Sequence, residues 1–308
     1  MTTAKPWEEQ VAGVADNIRR RVLDLTIEKQ GCYLSQALSS AELLATLYLK
    51  VLKLGPSEGP QIPPAFPGVP GESGADFGFG AAYNGPRGDG YDRLLISPAH
   101  YAVAIYAALI EVGRMAPESL SQFNTDGSTL EMIGAEHSPG FELTTGSFGQ
   151  ALSQAGGIAM ARKRRGEAGR VFVFMSDGEL EEGQTWEAIQ ALAFHKIGNV
   201  VVCVDVNGQQ VDGATKDVMN IEPIDTRIES FGGVAVKVDG HDVAGLESAI
   251  NDTPHADGPL FVLAYTNTSQ GVPLLDERKP HLHYVRFRSD AEEARYRQYL
   301  ADWQGKAS

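Results

Sequence analysis

The sequence predicts an α/β fold: a doubly wound parallel sheet with helices on both faces. Two observations carry the prediction. Apolar runs alternate with segments of helical period along most of the chain. Residues 171–213 show the repeating unit most clearly. There an apolar run stops at Ser176-Asp177-Gly178, a helical pattern follows, and a second apolar run stops at Asp205-Val206-Asn207-Gly208. Strands joined through a helix are parallel neighbours with a right-handed crossover, so their carboxyl ends lie side by side.

A first helix is predicted over about 7–28, from Val11, Val14, Ala15, Ile18, Val22 and Leu25. A second is predicted to begin near Ser39, because Ser39 and Glu42 have the spacing of a capping box. Ala41, Leu43, Leu44, Leu47, Tyr48 and Val51 give it an apolar face. Residues 55–90 are rich in Pro and Gly and read as a long surface loop, or alternatively as a lid or partner-docking loop. Leu94-Leu95-Ile96 reads as a short strand, followed by a helix over about 100–112. The helix after Gln150 opens with Ala151, Ala155, Gly156, Gly157 and Ala159, small residues that allow close approach to a backbone or ligand. Strands at 232–238 and 259–266 and a charged helix at 290–303 complete the pattern.

Composition narrows the function. The 308 residues carry 26 basic and 40 acidic side chains, a net charge of −14. That argues against nucleic acid or an anionic membrane as partner, since both need a basic face. It does not argue against an anionic cofactor whose charge a metal meets locally. Two cysteines, Cys32 and Cys203, make no disulfide framework or zinc spacing. The N-terminus lacks the order of a signal peptide, and no apolar run approaches the roughly 20 residues of a membrane span. The expected location is the cytoplasm.

Ligands of doubly wound sheets bind outside the carboxyl ends of the strands. Asp177 and Asn207, 30 residues apart, would meet at that edge. A carboxylate and an amide oxygen beside a helix N-terminus suit a hard cation carrying a diphosphate. The alternative for Ser176 or Asp177 is a plain N-cap for a helix from Glu179. The turn-rich residues 208–213 can aim a backbone carbonyl, that of Gln209, at the same cation. Asp177, Asn207, the Gln209 carbonyl, two diphosphate oxygens and a water would fill the octahedron of Mg²⁺.

This segment resembles the thiamine diphosphate fingerprint, Gly-Asp-Gly followed about 30 residues later by Asn. Neighbouring residues narrow the resemblance to the transketolase family. Glu182-Gly183 with Trp186-Glu187-Ala188 is similar to its Glu-Gly-x-x-x-Glu-Ala. Residues 92–100, DRLLISPAH, are similar to its Asp-Arg-(apolar)-Ser-x-Gly-His, and residues 139–150, PGFELTTGSFGQ, to its Pro-Gly-x-Glu-x-Thr-Thr-Gly-Ser-Leu-Gly-Gln. The resemblance runs from about 18 to 298.

The resemblance implies the following. The fold is the thiamine diphosphate-binding fold, with 1–308 a single diphosphate-binding domain carrying an insertion at about 55–90. The cofactors are thiamine diphosphate and Mg²⁺, with Ca²⁺ or Mn²⁺ able to substitute. Asp177, Asn207 and the Gln209 carbonyl hold the metal; Gly146 and Phe148 line the cofactor channel, and Gly178 leaves the diphosphate a clear approach to the helix N-terminus. Catalytic roles fall on His100, on Glu182 facing a partner domain, and on His281 or His283, which follow TNTSQGV. The activity is transfer of a two-carbon ketol unit from a ketose donor to an aldehyde acceptor. A complete transketolase is about twice this length, so a separate C-terminal subunit with the pyrimidine-binding domain is expected, in an α₂β₂ heterotetramer. Two other readings stay open: an α subunit of a 2-oxo acid dehydrogenase-like or hybrid enzyme feeding a carrier protein, and a non-catalytic binding or regulatory module. The chain departs from the family in three places. Ser176 replaces a Gly. The N-terminal Ser-Gly-His, whose histidine meets substrate, is replaced around Gln30-Gly31-Cys32-Tyr33-Leu34-Ser35-Gln36, with Cys32, Tyr33 or Gln36 expected in its space. The Pro/Gly segment is extra.

Overall fold

The computed structural model describes residues 6–66, 68 and 79–306. Its strands are β1 (Arg93–Ile96), β2 (Val171–Ser176), β3 (Val200–Val206), β4 (Gln209–Gln210), β5 (Gly213–Ala214), β6 (Val234–Asp239) and β7 (Leu260–Tyr265). Five of them form one sheet in the order β1-β2-β3-β7-β6, with every pair parallel. β4 and β5 make a separate antiparallel hairpin. The helices are α1 (Pro6–Glu28), α2 (Leu34–Thr46), α3 (Ala102–Glu111), α4 (Gln150–Arg165), α5 (Gly183–Phe194), α6 (Thr215–Val218), α7 (Ile224–Ser230), α8 (Val243–Asp252) and α9 (Asp290–Lys306).

β1, β2, β3 and β7 are buried on both faces, which is why they read as unbroken apolar runs. Alternate residues enter two separate cores. Phe172, Phe174, Val201 and Cys203 pack with α1, α2, α3 and α8. Val171, Val173, Met175, Val202 and Val204 pack with α4, α5 and α7. Helices therefore cover both faces, as expected. No helix among the described residues is long and apolar enough to cross a membrane.

One helix start differs from the sequence expectation. α2 begins at Leu34, so Ser39 and Glu42 lie inside it, not at a capping box. The helix is buried all round, and its polar residues have distant partners. The Ser39 hydroxyl donates to Asp205 at 2.6 Å. Glu42 pairs with Arg19 and with His241 Nδ1, the latter at 3.0 Å. Burial alone would raise the Glu42 carboxyl, but His241 and Arg19 outweigh it and hold it below its usual range.

The Pro/Gly segment is packed at both ends. Ala116 N–H donates to Gln61 O at 2.8 Å, Phe66 N–H to Gly127 O at 2.8 Å, and Tyr83 is fully buried. Of the span at about 55–90 where a lid or docking loop was the alternative expectation, residues 67 and 69–78 lie outside the described residues.

Candidate functional site

The register of β2 on β3 pairs Ser176 with Asp205, so both strands end at the same level. A cleft of about 240 Å³ opens there, lined by Asp177, Gly178, Asn207 and Gln209 at one end and by Tyr33, His100 and His283 among others. The expected Asp177–Asn207 meeting is thus present at the predicted edge.

Asp177 is almost fully buried. Its carboxylate accepts Gly178 N–H at 3.0 Å and Gly208 N–H at 2.9 Å. Burial, with the nearby Asp205 charge adding, pushes its carboxyl up to about 7. Asn207 donates from Nδ2 to the Tyr101 hydroxyl at 3.0 Å and to Asp205 at 3.1 Å, while its Oδ1 accepts Gln209 N–H at 2.9 Å. The amide is therefore oriented, with oxygen toward the turn. Asp205 itself is wholly buried and also accepts from Ser39, Tyr101 and Thr266.

This donor set fits a hard cation. Among the described residues no basic side chain pairs with Asp177 or Asp205. Nor does any cluster of three or more His, Cys, Asp or Glu side chains suffice to hold a metal alone. One carboxylate and one amide oxygen leave positions for water and diphosphate oxygens, the arrangement Mg²⁺ prefers.

Beyond Asp177 the chain makes a short 3₁₀ turn, Asp177–Glu181, before α5 begins at Gly183. Ser176 and Glu179 form a capping box on that turn, so the expected long helix from Glu179 starts four residues later. A Cβ on Gly178 would lie 2.4 Å from Gln210 Oε1, so the Gln210 amide occupies the approach that the glycine was expected to leave clear.

Glu179 clips three segments together. It accepts from Ser97 at the end of β1, from Ser176 N–H at 3.2 Å, and from Gly149 N–H at 3.3 Å. Burial pushes its carboxyl up to about 7. The Gly149 bond, with Thr145 Oγ1 donating to Ile96 O at 2.6 Å and Gln184 to Phe148 O at 2.7 Å, fixes the loop that carries Gly146 and Phe148. Gly146 has φ +101°, a conformation that favours glycine.

The far end of the cleft is a wall of rings. The His100 centroid lies 5.1 Å from His283, 5.8 Å from Phe148 and 5.3 Å from Tyr33. The wall exists because the chain after β7 returns to α2. Cys32 and Val285 form a bridge, and Ser35 Oγ donates to Leu282 O at 2.7 Å. Burial, with His283 adding, lowers His100 to about 3. Burial also lowers His283, against a weaker opposing pull from Asp212. Both imidazoles are neutral near pH 7.

The structure brings His100, Gly146, Phe148, Asp177, Gly178, Asn207, Gln209 and His283 to this cleft. Two expected residues lie off it. His281 is exposed, with Nδ1 3.9 Å from Asp212. Glu182 is exposed at the start of α5. Of the three residues expected in the histidine's space, Tyr33 and Gln36 line the cleft, whereas Cys32 is fully buried. Sequence reasoning missed Tyr101, Glu179 and Asp205. Asp205 carries a legible signal, a lone charge in the strand VVVCVDV; Glu179 carries another, the capping-box spacing from Ser176.

A family model described as transketolase, thiamine diphosphate binding domain, matches residues 84–283. A protein of Sinorhizobium fredii named as a transketolase family protein is 35% identical over 276 residues, covering 88% of each chain. One of the subunits of apulose-4-phosphate transketolase from Actinobacillus succinogenes is 29% identical over 273 residues, covering 88% of this chain and 89% of its own. The fold matches crystalline transketolase from Pichia stipitis with a TM-score of 0.69 at 21% identity, over 96% of this chain but only 44% of that one. The chain thus spans about nine tenths of these two relatives and under half of that crystallised enzyme.

Proposed function

The chain belongs to the transketolase family, and we propose that it is the N-terminal, diphosphate-binding subunit of a split ketol transferase. It would take a two-carbon unit from a ketose and deliver it to an aldehyde. The observation that carries this reading is the cleft in which Asp177 and Asn207 face a wall of neutral rings. The split arrangement is supported by the near-full overlap with a relative that is itself named as one subunit of a transketolase.

Thiamine diphosphate, when bound, supplies the carbon nucleophile for the transfer. Asp177, Asn207 and the Gln209 carbonyl would hold Mg²⁺ and through it the diphosphate. Gly146 and Phe148 would line the channel for the rest of the cofactor. As the donor's C2–C3 bond breaks, its electron pair stays with the two-carbon unit and the C3 hydroxyl becomes an aldehyde carbonyl. The released proton needs a neutral base, and His100 and His283 have that form. Of the two candidate histidines after β7, geometry favours His283. Glu182 is exposed at the start of α5 and would face the partner subunit in an α₂β₂ assembly. Its setting is read as the cytoplasm.

The test is to assemble the chain with its C-terminal subunit, then to assay ketol transfer from a ketose to an aldehyde. Activity is expected only from the assembled complex with Mg²⁺ and thiamine diphosphate. An inactive complex that binds the cofactor would refute the transferase reading.

A further inference from the structure

Tyr33 stands in the ring wall, and no part of cofactor anchoring falls on it. Its centroid lies 5.3 Å from His100, 5.3 Å from His283 and 5.1 Å from Tyr284. Three observations single it out. First, it is held in place: Cys32 N–H donates to Val285 O at 3.0 Å and Val285 N–H to Cys32 O at 2.9 Å, so its backbone neighbour is locked to the segment carrying His283. Second, its hydroxyl has no hydrogen-bond partner among the described residues, while the neighbouring Gln36 amide is committed to His283 O at 3.0 Å. Third, it lies at the end of the wall away from Phe148: His100 contacts Phe148, whereas Tyr33 is flanked by Tyr284, which does not line the cleft.

We propose that the Tyr33 hydroxyl binds a hydroxyl on the part of the ketose donor that leaves as the aldehyde, making Tyr33 a selectivity residue among donors. The inference rests on the ketol-transfer reading above. Burial, with Tyr284 and Cys32 adding, raises the Tyr33 phenol, so it remains a protonated donor at neutral pH. Among the described residues no Lys or Arg lines the cleft. A phenol can both donate to and accept from a hydroxyl, which suits it to a polyol.

The test compares Tyr33→Phe with wild type in the assembled complex, using two donors. L-erythrulose carries hydroxyls beyond the bond that breaks; hydroxypyruvate releases carbon dioxide there and carries none. Loss of one hydrogen bond to an uncharged partner predicts a roughly tenfold fall in kcat/KM for L-erythrulose, mostly in KM. Hydroxypyruvate turnover and the calorimetric Kd for thiamine diphosphate should stay within about twofold. An equal fall with both donors, or weaker cofactor binding, would mean that Tyr33 only packs the wall and would overturn the proposal. So would no change with either donor. A wild-type complex that binds no cofactor, or turns over neither donor, overturns the underlying reading instead, and Tyr33's role with it.

Discussion

Asp205→Asn isolates the support beneath the metal site. Asp205 Oδ2 accepts from Ser39 at 2.6 Å, Tyr101 at 2.8 Å and Asn207 at 3.1 Å; Oδ1 accepts from Thr266 at 2.5 Å. An asparagine has one acceptor oxygen. Placed at Oδ2 it keeps three partners but turns three charge-assisted bonds into neutral ones, each weaker by about 1 kcal/mol. Relief of the buried charge offsets much of that loss, so stability should change by no more than about 2 kcal/mol. The site should suffer more. Asn207 is held less firmly, and a negative charge beside Asp177 is gone. Loss of support around a metal ligand typically weakens metal binding about 10–100-fold, or about 1.4–2.8 kcal/mol. Urea unfolding of the chain and calorimetric titration of Mg²⁺ with thiamine diphosphate in the assembled complex read the two effects separately. An unchanged Kd would refute the claim that Asp205 orients Asn207.

Glu42→Ala leaves the Arg19 guanidinium buried beside an empty place and should cost about 3–5 kcal/mol, seen as a lower urea midpoint without loss of slope. Gly146→Ala places a side chain at φ +101° with its Cβ 3.1 Å from Ala99 Cβ, and should destabilise by about 1–3 kcal/mol while weakening cofactor binding. His100 is lowered to about 3, so below about 6.5 the unfolded chain takes up a proton that the folded chain refuses. Its contribution to stability is therefore full above about 6.5 and declines toward pH 3 by up to about 1.4 kcal/mol per unit. His100→Gln should flatten that part of the stability–pH curve, and parallel curves for the two proteins would contradict it.

The parallel pair β2–β3 is legible because strands buried on both faces read as apolar runs, and the residues just past their ends fall on one edge by topology alone. That suffices to bring Asp177 and Asn207 together. The start of α2 is not legible. Ser39 and Glu42 match a local capping signal, but their partners, Asp205, Arg19 and His241, are remote in sequence. The ring wall is similarly hidden, because it depends on residues 282–285 returning to α2 across most of the chain. Sequence position alone leaves His281 and His283 equivalent, whereas two residues of turn geometry put one in the cleft and the other outside it.

In the proposed assembly two subunits complete one cofactor site. Calorimetric titration of thiamine diphosphate, with and without Mg²⁺, into the isolated chain and into its complex with the C-terminal subunit tests it directly. Tight, Mg²⁺-dependent binding confined to the complex is the predicted result. Equal binding by the isolated chain, or none by a well-formed complex, would contradict it.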